Sequence, residues 1–151
     1  MNTYIKTKLY SIYLSLVLCF LSFPLHANPL KIELFVVEAQ KNNAQKVDGQ
    51  LEAFKDALLS KFSDYQSFKA IDSQTGNLSP KQEFKLKLSS QIEAIFQYEG
   101  QEKSKNQIRL QIPKRKVDLK LLASSNHTIF QVMQKNKKQD TLLILVMKIL
   151  E

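Results

Sequence analysis

The sequence predicts an α+β fold, with one amphipathic helix packed on a mainly antiparallel sheet, or on one layer of a small sandwich, of roughly six to eight strands. Three observations predict it. Only the segment from Asp48 to Phe62 has apolar residues at helical spacing. Most of the remaining chain has apolar residues at every second position, as in strands with one buried face. Polar or turn-forming stretches separate these runs every eight to twelve residues or so, which favours hairpins over βαβ units.

The first 27 residues have the features of a secretory signal peptide. Lys6 and Lys8 precede an apolar run from Tyr10 to Phe23, which is shorter than the ~20 residues that cross a bilayer. Ala27 supplies a small residue before the expected cleavage site. We therefore expect an exported protein with a signal peptide over residues 1–27 and a single α+β domain over residues 28–151. Retention as an uncleaved anchor is the alternative, because Leu25 stands where a small residue is preferred.

Cleavage would also remove Cys19, the only cysteine of the chain. Lipidation of Cys19 is disfavoured because Leu18 precedes it, where lipoprotein signals have a small residue. The mature domain could then form no disulfide, and its stability would come from a hydrophobic core. Without Lys6 and Lys8 the formal charge falls from +8 to +6. This mild excess comes without a basic helix or an aromatic platform, so we expect no nucleic-acid partner.

The candidate helix begins after Asp48, whose carboxylate can accept from the free amides of the first turn. Its apolar stripe consists of Leu51, Phe54, Leu58 and Phe62, while Lys55, Asp56 and Lys61 face outward.

The first and last strands, Leu30 to Val37 and Leu142 to Leu150, are apolar on both faces, which predicts central and adjacent positions in a sheet. A short second strand around Phe68 and Ala70 is expected to end in a turn over Asp72 to Asn77. Pro113 is expected to end a later strand, since it has no amide donor. The other candidate strands are Phe84 to Leu88, Ile92 to Phe96, Ile108 to Ile112, Val117 to Leu121 and Thr128 to Met133.

The sequence offers little catalytic chemistry, and we expect no enzyme and no cofactor. His127 is the only histidine after the signal peptide, so a His/Cys metal site is excluded there. Three scattered glycines cannot form a phosphate-binding loop. The alternative is a small secreted hydrolase that uses carboxylates, or His127 with a neighbouring serine. Glu33 and Glu38 are the carboxylates closest to the expected core, where a structural ion pair is the simpler interpretation.

Two short basic clusters are candidates for contact with an anionic surface, and solvated turns are the simpler interpretation of both. They consist of Lys114, Arg115 and Lys116, and of Lys135, Lys137 and Lys138.

The order of elements resembles that of small exported bacterial proteins of uncharacterised function. The resemblance is carried by Val36-Val37-Glu38-Ala39, the helix led by Asp48, Tyr65-Gln66-Ser67-Phe68-Lys69, the lysine-alternating strands, and the strand after Gln139-Asp140-Thr141. This family brings no catalytic residues to the chain. The expected export, the strand-rich surface, the absence of an active-site pattern and the modest positive charge instead favour an exported, non-enzymatic interaction or accessory module of the bacterial envelope, in the periplasm or secreted, with a protein partner and no membrane span after cleavage. A partner strand could add to the edge from Gln82 to Ser89. Attachment to an anionic envelope polymer is the other alternative.

Overall fold

The computed structural model describes residues 28–42, 44–89 and 92–150. The predicted signal peptide, its cleavage site and Cys19 lie outside these residues. The described chain contains one α-helix, α1, and nine strands, where roughly six to eight were predicted. The elements are β1 Leu30–Gln40, β2 Lys46–Val47, α1 Lys55–Lys61, β3 Ser67–Leu78, β4 Glu83–Ser89, β5 Ile92–Glu102, β6 Lys105–Ile112, β7 Val117–Ala123, β8 Thr128–Asn136 and β9 Thr141–Ile149.

The strands form two sheets. Sheet A has the order β2-β3-β1-β9-β8, and sheet B is the meander β4-β5-β6-β7. All pairings between the described strands are antiparallel except the short contact of β2 with β3. The predicted central positions of the first and last strands are confirmed, because β1 pairs with β9 and each also pairs with a second neighbour.

The two sheets pack face to face over one hydrophobic core. Alternate residues of β1, including Ile32, Leu34 and Val36, point toward Phe96 on β5 and Leu110 on β6. All five of these side chains are buried. At roughly 25 cal/mol per Å² of apolar surface, this interface between the sheets is a main source of stability for the domain. The sandwich alternative of the sequence prediction is therefore the one observed.

The helical segment covers the opposite face of sheet A, and the predicted apolar stripe is confirmed. Leu51, Phe54 and Leu58 are buried against Phe35 and Val37 of β1. The rings of Phe35 and Phe54 meet edge to face with their centroids 5.4 Å apart. Sheet A is thus buried on both faces where β1 and β9 run through its centre, which explains why those two strands are apolar throughout.

The start of this segment differs from the prediction. Residues Gly49–Phe54 form a 3₁₀-helix, and only Lys55–Lys61 are α-helical. Asp48 is the N-cap as predicted, and its Oδ1 accepts from the Gln50 amide at 3.1 Å. No helix in the described part of the chain combines the length and apolarity needed to cross a membrane.

The predicted turn over Asp72 to Asn77 is wrong. These residues belong to β3, which pairs with β1 from Leu30 opposite Leu78 to Gln40 opposite Ser67. The polar residues of this stretch favour turns locally, but pairing with a long buried strand satisfies their backbone groups and outweighs that preference. The only irregularity is a bulge at Ile71, between the pairs Val36–Asp72 and Val37–Ala70.

Candidate binding surfaces

The first basic cluster lies in the turn between β6 and β7. Pro113 ends β6 as predicted and begins a 3₁₀ turn, Pro113–Arg115, and Lys116 follows it with a left-handed φ of 55°. Lys114 and Lys116 are exposed, whereas Arg115 is half-buried.

Arg115 links the two sheets. Its Nη1 donates to the carbonyl of Met133 at 2.6 Å, and its Nη2 donates to the side-chain oxygen of Gln134. Met133 is the extra residue of a bulge in β8, between the pairs Val132–Ile144 and Gln134–Leu143. A bulge interrupts the ladder of backbone hydrogen bonds, so the guanidinium takes over an acceptor that the ladder does not use regularly.

The contact of Arg115 with β8 also places the first cluster beside the strand that leads to the second. Lys135 follows Gln134 in β8, and Lys137 and Lys138 lie in the β8–β9 hairpin, all three exposed. Asn136 orders this hairpin, because it donates to Gln139 at 2.7 Å and accepts from the Lys138 amide at 3.1 Å. The structure thus brings the two predicted clusters to one end of the sandwich, with Arg115 engaged and the lysines solvated.

The open edge of β3 is a surface that sequence reasoning missed. β2 pairs only with Ser67 and Phe68 of β3, so the rest of that side of β3 has no neighbouring strand in the described chain. Where β2 ends, a groove of about 450 Å³ is lined by Lys46, Val47, Asp48, Gly49, Ser67, Phe68 and Lys69. The stretch carries no apolar alternation beyond Ile71, so the sequence contained no signal for an edge strand here.

The predicted edge strand Gln82 to Ser89 is confirmed as an edge, since β4 is the first strand of sheet B. Lys85 and Lys87 are exposed on it. Lys85 Nζ lies 3.9 Å from Glu83 and 4.0 Å from Glu93. A bulge at Leu88 interrupts the pairing with β5. Lysines and bulges are the devices that discourage unwanted strand pairing, so β4 is a guarded edge.

The outer face of sheet B carries a ladder of polar side chains. Arg109 on β6 donates to both oxygens of Asp118 on β7, at 2.8 and 2.6 Å, and Gln111 donates to the same carboxylate at 3.2 Å. The hydrogen bonds from Arg109 lower the pKa of Asp118, and the bonds to Asp118 raise the pKa of Arg109. Glu99 accepts from Gln107 at 2.6 Å on the same face.

One polar pair lies inside the sandwich. Tyr98 donates to Asn106 at 3.2 Å, and Asn106 is only 2% exposed. Gln101 donates to the same oxygen of Asn106. Burial raises the pKa of Tyr98. These hydrogen bonds satisfy the buried polar atoms of Tyr98 and Asn106, as is usual in protein interiors, and the role of the pair is structural.

The candidate catalytic residues are dispersed. His127 is an exposed turn residue whose amide donates to the Ser124 carbonyl at 3.2 Å, with no side-chain hydrogen bond to a serine among the described residues. Glu38 is half-buried and accepts from Gln40 at 2.7 Å. Glu33 lies five positions from Glu38 in β1 and stands opposite Lys148 of β9. Within residues 28–42, 44–89 and 92–150, no three His, Cys, Asp or Glu side chains are grouped to hold a metal ion.

Comparison with known proteins adds no relative to this description: no family model, no curated protein and no solved structure matches the chain.

Proposed function

We propose that the protein is an exported, non-enzymatic interaction module of the bacterial envelope, which binds an extended segment of a partner protein along the open edge of β3. The observation that carries the proposal is the length of this edge. β3 has twelve residues, and β2 covers two of them. Backbone donors and acceptors on such an edge can hydrogen-bond to an added strand, while side-chain pockets provide specificity.

The side chains along this edge suit a partner better than those of β4. From Ser73 to Leu78 the strand contains no charged residue, and Ser73, Thr75 and Asn77 are exposed. This stretch contains no lysine, whereas Lys85 and Lys87 on β4 discourage strand pairing. A partner strand beside Ser73 to Leu78 would meet no charge that opposes pairing.

The side chains at the end of the β3 edge next to β2 indicate which residues a partner segment would carry. Lys46 and Lys69 are both exposed in the wall of the 450 Å³ groove, and Ile71 is 46% exposed on the same strand. An extended segment with an acidic residue near the lysines and an apolar residue near Ile71 would complement this edge. The net positive charge expected for the mature chain favours an acidic partner in the same way.

The experiment is affinity purification of the tagged protein from its own cells, comparing three forms. The edge variant carries Ser73→Lys and Thr75→Lys, and the control carries Ala53→Lys and Ser60→Lys, two exposed positions of the helical segment. Both variants add the same charge. A partner retained by the wild type and the control but lost from the edge variant is the expected result. A partner that the edge variant retains as well as the control does would overturn the β3 site.

Export is tested in the same preparation by intact-mass measurement. We expect a chain that begins at Asn28 and carries no lipid. A mass that includes residues 1–27, or an acylated Cys19, would contradict the proposed compartment.

A second candidate function is attachment to an anionic envelope polymer, favoured by the contact of Arg115, in the first basic cluster, with the strand that leads to the second. Its tether to β8 holds Lys114 and Lys116 at the same end of the sandwich as Lys135, Lys137 and Lys138. Replacing these five lysines by Gln should weaken retention on an anionic matrix, and added salt should weaken retention of the wild type, because exposed charges are screened beyond ~8–10 Å. Unchanged retention would identify the lysines as solvated turn residues.

A further inference from the structure

The four long strands that form open sides of the two sheets are not equally protected. β4 and β8 contain a bulge at Leu88 and Met133, and β3 contains one at Ile71, next to the regular stretch from Ser73 to Leu78 that the proposed partner would use. β7, by contrast, pairs with β6 without any register shift, from Ile112 opposite Val117 to Asn106 opposite Ala123. Bulges twist an edge away from incoming strands, so β7 is the one of these four strands whose whole length is free of that protection.

The side chains of β7 leave both of its faces incomplete. On the inner face Val117, Leu119 and Leu121 pack against the sandwich core but remain only partly buried. On the outer face Lys120 is exposed and stands directly opposite Arg109 of β6. Like charges in directly opposed positions are unfavourable, and Lys120 has no acidic partner among the described residues.

We propose that a second copy of this chain pairs with β7, antiparallel, with Leu119 opposite Leu119 of the other copy. This arrangement places Asp118 of each copy opposite Lys120 of the other. On the inner face it sets Val117 against Leu121 twice, around the central Leu119 pair. The exposed Lys120 and the partly buried apolar residues of one β7 would thus each face a matching residue in the β7 of the other copy.

The register follows from charge and side-chain alternation. Since successive side chains alternate between faces, only shifts by two residues keep the apolar face inward. Centring the pair on Lys120 would oppose two lysines, and centring it on Asp118 would oppose two carboxylates. The register centred on Leu119 lies between these two. It opposes no like charges and forms two pairs of Asp118 with Lys120.

The resulting contact is isologous, as a closed two-fold dimer requires. It joins the two four-stranded sheets B into one continuous sheet and leaves the β3 edge on sheet A unused. The proposal is therefore independent of the partner site. In this register five residues of each β7, 117–121, supply the strand pair. A single short strand pair covers less than the ~800 Å² per partner of a standard interface, so we expect an equilibrium that depends on protein concentration.

A charge exchange tests the register. Two variants of the full chain, Lys120→Glu and Asp118→Lys, are each expressed in cells with two different tags, alone and together. Copies of the wild type should copurify, copies of either variant should not, and Lys120→Glu should copurify with Asp118→Lys because the mixed pair restores both charge contacts. Copurification that is equal in all combinations, or absent for the wild type, would overturn the proposal.

A cross-linking arm covers the case in which Asp118→Lys fails to fold after losing its bonds to Arg109. In a full chain carrying Cys19→Ser, Leu119→Cys should form an intermolecular disulfide under mild oxidation, because directly opposed residues of an antiparallel pair lie within disulfide reach. Leu121→Cys is the matched control, since its counterpart would be Val117. Equal cross-linking of the two variants, or none at position 119, would contradict the proposed register.

Discussion

Gly76 lies directly beneath the ring of Phe84. A Cβ placed on Gly76 would come within 2.2 Å of Cε2 of that ring, closer than any real contact. Gly76 belongs to β3 and Phe84 to β4, so the absent side chain is what allows sheet A to approach sheet B at this edge. The Phe84 ring in turn meets Phe96 edge to face, with centroids 6.5 Å apart, which limits how far it can move.

We expect Gly76→Ala to destabilise the domain by about 1–3 kcal/mol, because the added methyl group must displace a packed ring. Gly49→Ala is the control, since a Cβ there would meet no atom within 4 Å. Urea unfolding measures both. Combining Gly76→Ala with Phe84→Leu should cost less than the sum of the two single changes, because the residues are in contact. Strict additivity would show that the ring does not constrain Gly76.

The helical segment gives a second pair of stability predictions. Leu58→Ala should cost about 2–5 kcal/mol, because the side chain is fully buried against sheet A. Asp48→Ala should cost about 1 kcal/mol through loss of the N-cap hydrogen bond. Asp56→Ala, at an exposed position of α1, should have little effect. Similar unfolding midpoints for all three variants would contradict the docking of this segment on the sheet.

We expect Arg115 to contribute to the stability of the domain, and its neighbours Lys114 and Lys116 to contribute little. Arg115→Gln should lower the free energy of unfolding by about 1–2 kcal/mol, because it leaves the Met133 carbonyl without its charged donor. Replacing Lys114 and Lys116 together by Gln should change it by less than about 0.5 kcal/mol, as is usual for exposed side chains. Thermal or urea unfolding of the two variants and the wild type measures both effects. If the Arg115 variant is as stable as the double lysine variant, the link between the sheets contributes nothing to stability.

Much of the architecture could be predicted because its signals are local. Alternation in Phe84 to Leu88 and Ile108 to Ile112 located strands of sheet B, and the helical spacing around Leu58 located the helix. Continuous apolar character in the first and last strands correctly indicated central positions covered on both faces.

The errors arose where distant pairing overrides local preference. Residues 72–77 favour a turn by composition but are held as a strand by β1. The candidate strands Ile92 to Phe96 and Ile108 to Ile112 are both longer than predicted, because Lys103 and Ser104 form a two-residue turn with left-handed φ values of 48° and 65° and the residues on either side of it pair.

The candidate surfaces were harder to predict than the fold. Arg115 reaches an acceptor eighteen residues away on the opposite sheet, which no local pattern encodes. The edge of β3 is open because β2 pairs with only two of its residues. The edge of β7 stands out because the other open strands contain bulges and β7 does not. Both are properties of strand pairing, and the sequence displays only the alternation of individual strands.

The ion pair on the outer face of sheet B predicts the response to acid. Because hydrogen bonds from Arg109 lower the pKa of Asp118 in the folded protein, its ionised form contributes stability above the unfolded carboxyl pKa of about 3.9. That contribution is lost as the pH falls through the lower, folded pKa. Asp118→Asn should therefore reduce the unfolding midpoint by a constant amount above about pH 5, and the difference from wild type should shrink below about pH 4.

Unfolding curves collected across this pH range, with Asp56→Asn as an exposed control, measure the effect. Both partners of the pair are largely solvated, so the difference should also decrease with added salt. A difference between Asp118→Asn and wild type that persists unchanged down to about pH 2 would mean that Asp118 acts through its shape and hydrogen bonds, with no contribution from its charge.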